Sequence, residues 1–190
     1  MERKILIIID AQNDFIDGSL GTKEAVAAVD NIVNRIETFD GDTIVCTLDT
    51  HTEDYFSTKE GKRLPVKHCV KDTYGWEISG KITDAINRKI EDSGNKVQFI
   101  KIEKPTFGSE KLVEHMTGSN EGNWFRTDYT IMIVGFCTDI CVISNALMIK
   151  AHCYENSEIT VASSCCAGVT PETHKAALDV MRSCQINVID

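Results

Sequence analysis

The sequence predicts an α/β fold of three layers, αβα. A Rossmann-like, mostly parallel sheet of about six strands should lie between helices on both faces. Three observations carry this. Short apolar, β-branched runs without strict alternation recur along the chain, as strands buried on both faces require. Segments with helical apolar spacing separate these runs. Strands that alternate with helices form parallel pairs joined by right-handed crossovers. A length of 190 residues suits one domain, residues 1–190, with a full core.

The first run, Lys4-Ile-Leu-Ile-Ile-Ile-Asp10, is a buried strand over residues 5–9. Gly18 and Gly21 break the loop after it. A helix then starts near Thr22, with Ala25, Val26, Val29, Ile32, Val33 and Ile36 at helical spacing. Residues 43–49 form the second strand. Residues 50–75 are polar and aperiodic, too long for a plain connection, and so mark a functional or a disordered loop. Ile82, Ile86 and Ile90 place a helix before the third strand, at 97–102. A short helix over 109–116 and a polar loop over 118–128 lead to the fourth strand, at 129–134. Thr138, a good N-cap residue, opens a helix through Ala151. The chain ends with a strand at 159–162, a helix over 173–183 capped near Thr170-Pro171, and a strand at 186–189.

The net charge of −9 argues against nucleic-acid binding and leaves no basic face for anionic lipid. No apolar run reaches membrane-spanning length and no signal peptide is recognisable, so the protein is expected in the cytoplasm with neither a nucleic-acid nor a membrane partner. The eight cysteines sit mostly in apolar or helical contexts, which suits reduced thiols.

In open parallel sheets the site lies beyond the carboxyl ends of the strands. By that rule Asp10, Asp49, Lys104 and the turn carrying Cys137 and Cys141 converge on one edge. Cys141 falls in the first turn of a helix, where unpaired N–H groups and the dipole should lower its thiol pKa. One such cysteine alone reads better as a small buried core residue. Asp10 as a base and Lys104 as a nearby cation give it a chemical purpose. Backbone N–H groups of the turn offer an oxyanion site.

Five ordered motifs make the chain resemble the isochorismatase-like cysteine hydrolases, most closely the nicotinamidase-like branch, over nearly its whole length. They are Ile9-Asp-Ala-Gln-Asn-Asp-Phe15, Asp49-Thr-His51, Leu64-Pro65 with His68-Cys69, Lys104-Pro-Thr-Phe-Gly108, and Gly135-Phe-Cys-Thr-Asp-Ile-Cys-Val142. The resemblance implies a catalytic triad of Asp10, Lys104 and Cys141, with Cys141 the nucleophile. It implies a cis peptide before Cys137 and an oxyanion hole made by the backbone N–H groups of Cys137 and Cys141. Phe15 would line the pocket. The implied reaction is hydrolysis of nicotinamide to nicotinic acid and ammonia through a thioester.

The resemblance also implies a divalent metal in the long loop, held by Asp49, His51 and His68, a donor set suited to Zn and also to Fe or Mn. Many relatives use a further histidine where this chain has Tyr55, and Glu60 is the candidate replacement. A homo-oligomer is implied as well. The alternatives are a related amidohydrolase acting on a carbamoyl or ureido compound, and a non-catalytic binding protein on the same fold. Vinyl-ether hydrolysis is disfavoured because it needs no nucleophilic cysteine. Gln12 and Asp14 are expected to fix the loop after Asp10. Trp76 and Trp124 are read as loop anchors, and His115, His152 and His174 as histidines without a functional partner.

Overall fold

In the computed structural model the described residues are 3–117, 128–153 and 157–190. Six strands form one parallel sheet: β1 Arg3–Ile9, β2 Thr43–Asp49, β3 Gln98–Lys104, β4 Tyr129–Phe136, β5 Glu158–Ala167 and β6 Asn187–Ile189. Their order across the sheet is β3-β2-β1-β4-β5-β6. The order reverses between β1 and β4, which is where a cleft opens at the carboxyl edge of a doubly wound sheet. The helices are α1 Asn13–Ile16, α2 Lys23–Glu37, α3 Lys59–Arg63, α4 Gly80–Asp92, α5 Glu110–Thr117, α6 Ile143–His152 and α7 Pro171–Ser183.

The continuous apolar runs have the predicted cause. Along β1 the side chains alternate between two apolar cores. Leu6 and Ile8 meet α2 and α4 through Ala28, Ile32, Ile82 and Ile86. Ile5, Ile7 and Ile9 meet the opposite layer of α5, α6 and α7 through Leu112, Ala146, Leu178 and Met181. Two helical layers therefore cover the sheet, as expected. The predicted caps also form: Thr22 Oγ1 accepts from Ala25 N at 3.0 Å, and Thr170 closes a capping box on α7 with Pro171 in its first turn.

Three local expectations change, and a fourth lies outside the described residues. Strand β5 runs through Ser163, Ser164, Cys165 and Cys166 to Ala167, well past residue 162; small polar residues hid its extent. The loop 50–75 contains the short helix α3, which has no apolar period. Thr58 caps it, and its Gly61 packs so closely on Tyr55 that a Cβ there would overlap the Tyr55 carbonyl. Thr138 is not the cap of the following helix. A wide, π-type turn, Thr138–Val142, precedes α6 with Cys137 at its start, and the Thr138 hydroxyl is engaged elsewhere. The expected polar loop at 118–128, with Trp124, lies outside the described residues except for Asp128. No helix among the described residues is long and apolar enough to cross a membrane.

Candidate active site

The strand ends build the site. Asp49 and Lys104 are the last residues of β2 and β3 and stand in register with each other. Asp10 follows β1 with a left-handed φ of 46°, a region that aspartate tolerates better than most residues. Beside it, Gly135 of β4 has a φ of 121°, and any Cβ there would overlap the Ile9 carbonyl. Only glycine lets β4 come this close to β1 at the switch point. The next peptide, Phe136–Cys137, is cis, as the resemblance implies. It leads into the turn that carries Cys141.

These residues meet in one buried cluster. Lys104 Nζ lies 2.7 Å from Asp10 Oδ2 and 3.5 Å from Asp49 Oδ1. It is 3.5 Å from Cys141 Sγ and donates to the Thr106 carbonyl at 3.1 Å. Thr47 Oγ1 donates to the other Asp10 oxygen at 2.6 Å. Lys104 and Asp10 are 1% and 0% exposed, so the pair stands in a low-dielectric setting where neither charge would persist without the other.

Burial sets the proton affinities. It pushes the Asp10 carboxyl above its ordinary range, with the Lys104 ammonium opposing. Burial acts against the Lys104 charge, but Asp10, Cys141 and Asp49 outweigh it and hold the ammonium well above its usual pKa. The Cys141 thiol is raised well above the ordinary cysteine value, by burial first and then by the Asp10 carboxylate. This corrects the expectation of a lowered thiol. The turn's N–H groups do not outweigh desolvation and a carboxylate in contact. Cys141 thus rests as a thiol beside a base. Cys137 is likewise pushed up to about 12, mainly by burial.

Next to this cluster, Asp49, His51, Glu60 and His68 turn four donor atoms toward one another, all within 4.8 Å. His51 Nε2 is 3.0 Å from Asp49 Oδ2 and 3.6 Å from Glu60 Oε1. His68 Nε2 is 3.4 Å and 3.7 Å from the same two oxygens. His51 Nε2 is buried yet makes no aligned hydrogen bond. His68 Nδ1 pairs with the Val66 carbonyl at 2.8 Å, which turns the Nε2 lone pair to the cluster. Burial would raise the Asp49 pKa, but the neighbouring His51 and His68 rings and the Lys104 charge hold it below the ordinary range. Two carboxylates, Asp49 and Glu60, face the two imidazoles. This N/O donor set and the unpaired His51 nitrogen fit a divalent cation. Tyr55 is turned to packing: its hydroxyl donates to the Leu64 carbonyl at 2.9 Å, and its ring stands 4.8 Å from that of His51.

A cavity of about 790 Å³ opens on both groups, lined by Phe15, Asp49, Glu60, His68, Cys137 and Cys141 among others. Phe15 also stands edge-on to His68, with ring centroids 5.6 Å apart.

Several supporting residues were misread or missed in the sequence. Gln12 and Asp14 do hold the loop after Asp10, where Asp14 accepts from Ser19 N at 3.2 Å, and both also reach across to the residues around the donor set. Gln12 pairs with Asp49 and the Trp76 carbonyl, and Asp14 accepts from Cys69 N at 2.7 Å. Trp76 does anchor a loop, donating to Thr50 Oγ1 at 2.9 Å. Asn145 is fully buried and ties the Cys141 carbonyl (2.8 Å) to the Phe107 carbonyl (2.9 Å) and Ser109 N (3.0 Å). Its position one helical turn after Cys141 was the available signal. His174, expected to have no partner, lies 2.8 Å from Thr138 Oγ1.

The isochorismatase domain model matches residues 4–190. A nicotinamidase/pyrazinamidase of Mycobacterium tuberculosis is 29% identical over 195 aligned positions, covering 98% of each chain. The structure of a Bacillus subtilis nicotinamidase/pyrazinamidase superimposes with a TM-score of 0.77 at 25% identity, covering 100% of both chains. That of a Pyrococcus horikoshii pyrazinamidase in complex with zinc gives 0.75 at 24% identity, covering 99% of each. The chain belongs to the isochorismatase family.

Proposed function

We propose that the protein is a cysteine amidohydrolase that converts nicotinamide and water to nicotinic acid and ammonia. One observation carries the reading. Lys104 Nζ sits between Asp10 Oδ2 at 2.7 Å and Cys141 Sγ at 3.5 Å, and Cys141 lines a cavity that Asp49, Glu60 and His68 also line. Full-length similarity to a nicotinamidase/pyrazinamidase supports the substrate.

Asp10, raised in pKa by burial, takes the Cys141 proton as sulfur attacks the carboxamide carbon. Lys104 keeps its charge throughout and offsets the anion formed on either side of it. The substrate oxygen, now an oxyanion, turns to the backbone N–H groups of Cys137 and Cys141. Protonated Asp10 gives its proton to the departing nitrogen, ammonia leaves, and a thioester remains on Cys141. Asp10 then takes a proton from water as its oxygen attacks the thioester, and returns it to the sulfur as nicotinic acid departs. Asp49, His51, Glu60 and His68 would hold a divalent metal, zinc foremost and iron or manganese as variants. Such an ion would supply an electrophilic contact for the pyridine nitrogen and so orient the amide toward Cys141. The reading includes a cytoplasmic setting, supported by eight free cysteines, and a homo-oligomer, which light scattering of the purified protein tests.

The test is an ammonia-release screen of nicotinamide, pyrazinamide and several carbamoyl compounds, with and without chelator, alongside Cys141→Ala. Turnover of nicotinamide that needs both metal and Cys141 supports the proposal. Activity confined to carbamoyl compounds transfers the assignment to that class, and no turnover of any amide by the metal-loaded protein refutes it.

A further inference from the structure

We infer that His174 is a positioning residue for the nucleophile turn: through Thr138 it fixes the backbone that aims Cys141 and the Cys137 amide into the cavity. The inference rests on the reading of Cys141 as nucleophile.

Thr138 follows Cys137 directly and begins the π-type turn in which Cys141 stands. Its side chain is 0% exposed, so its hydroxyl must find a partner inside the protein. A threonine here would ordinarily cap the helix that follows. Instead Thr138 Oγ1 meets His174 Nδ1, on a different helix, at 2.8 Å. The next residue is held to the same region: the Asp139 carboxylate accepts from Val169 N at 3.1 and 3.3 Å. Two successive residues of the turn are thus tied to the β5–α7 connection and the first turn of α7.

That anchor is itself rigid. Thr170 and Pro171 set the start of α7, and His174 N donates to the Thr170 carbonyl at 2.9 Å. Gly168 runs against the His174 backbone and Cβ at 2.9–3.0 Å from where a side chain would begin. Burial holds the half-buried imidazole below its ordinary pKa, with Asp139 opposing, so it faces the hydroxyl as a neutral ring able to donate or accept. Neither Thr138 nor His174 is among the residues lining the cavity. Their influence on the reaction therefore passes through the backbone, where a displacement of an ångström is enough to slow a positioned attack about 100-fold.

The test compares kcat, KM and thermal unfolding on nicotinamide for the wild type, Thr138→Val, Thr138→Ser, His174→Leu, His174→Asn and the Thr138→Val/His174→Leu double variant, with Cys141→Ala as control. Asparagine can place a polar atom near the site of Nδ1, and serine keeps the hydroxyl. Thr138→Val and His174→Leu should each lower kcat about 10- to 100-fold with KM nearly unchanged. Serine and asparagine should recover most of the loss, and the double variant should be no slower than the slower single. Iodoacetamide capture of Cys141, read by mass spectrometry, should change in the same order. Equal kcat across the series, or His174→Asn as slow as His174→Leu, overturns the inference. A Cys141→Ala protein that still turns over overturns instead the reading on which it rests.

Discussion

Gln12 and Asp49 are joined as two strand residues would be, by a side chain instead of a backbone. Gln12 Oε1 accepts from Asp49 N at 2.8 Å, and Gln12 Nε2 donates to the Asp49 carbonyl at 2.9 Å and to the Trp76 carbonyl at 2.8 Å. The loop after β1 thereby fixes the residue that faces both Lys104 and the two histidines. Gln12→Leu leaves buried backbone groups unpaired at about 1–3 kcal/mol each. It should lower the unfolding midpoint and weaken zinc binding about 10- to 100-fold, as loss of a supporting partner does at metal sites. Calorimetric zinc titration of the purified variant reads the second effect.

Lys104 is the hub of the buried charges. Lys104→Ala leaves Asp10 and Asp49 without their cation, which costs about 3–5 kcal/mol for a broken buried pair. Activity should disappear, and denaturant unfolding should shift by that amount. Lys104→Met, similar in length but uncharged, should be as inactive; recovery of turnover in it would remove the ammonium from the mechanism.

Glu60 decides whether the donor set is complete. Glu60→Gln keeps the length and removes the charge, so metal affinity should fall by about 10-fold or more while the fold is unchanged. Zinc content after dialysis, measured by atomic absorption, checks this without reference to activity. Retention of stoichiometric zinc would show that Asp49, His51 and His68 suffice.

The thiol has a predicted pH response. Burial and the Asp10 carboxylate both raise the Cys141 pKa, so alkylation of the free enzyme should be slow at neutral pH and rise into the alkaline range. Asp10→Asn removes a negative neighbour and leaves Lys104 in place. The thiol pKa should therefore fall, and alkylation at pH 7 should accelerate even as turnover is lost. Slower alkylation in Asp10→Asn would reverse the sign of this electrostatic argument.

Asn145 links the nucleophile turn to the loop after Lys104. Asn145→Leu keeps the number of side-chain heavy atoms but breaks three hydrogen bonds. It should lower the unfolding midpoint by about 5–10 °C and reduce kcat. Asn145→Asp should do no better, because its second oxygen would face the carbonyls of Cys141 and Phe107.

The sequence reveals most about positions where a residue's role is local. The buried strand at residues 5–9, the Thr22 and Thr170 caps and the residues at the strand ends were all legible, because each follows from a run, a cap or an alternation within a short window. The convergence of Asp10, Asp49 and Lys104 was legible from parallel topology alone. Partnerships across the fold were not. Thr138 looks like a helix cap and His174 like an idle histidine, because 36 positions of chain separate them. The helix at Lys59–Arg63 was hidden because a cap and a close backbone contact hold it, with no apolar stripe. The thiol pKa was misjudged because the helix terminus is visible in the sequence, while the burial of Cys141 against Asp10 is not.

The central claim is that Cys141 carries the acyl group of the substrate. The most direct measurement is the intact mass of zinc-loaded protein quenched in acid during steady turnover of nicotinamide, followed by peptide mapping. The account predicts a mass increase of one nicotinoyl group, on the peptide holding Cys141 and absent from Cys141→Ala. Rapid ammonia release with no adduct would leave the question to single-turnover quenching, but an adduct on Cys137, or undiminished turnover in Cys141→Ala, would contradict the account outright.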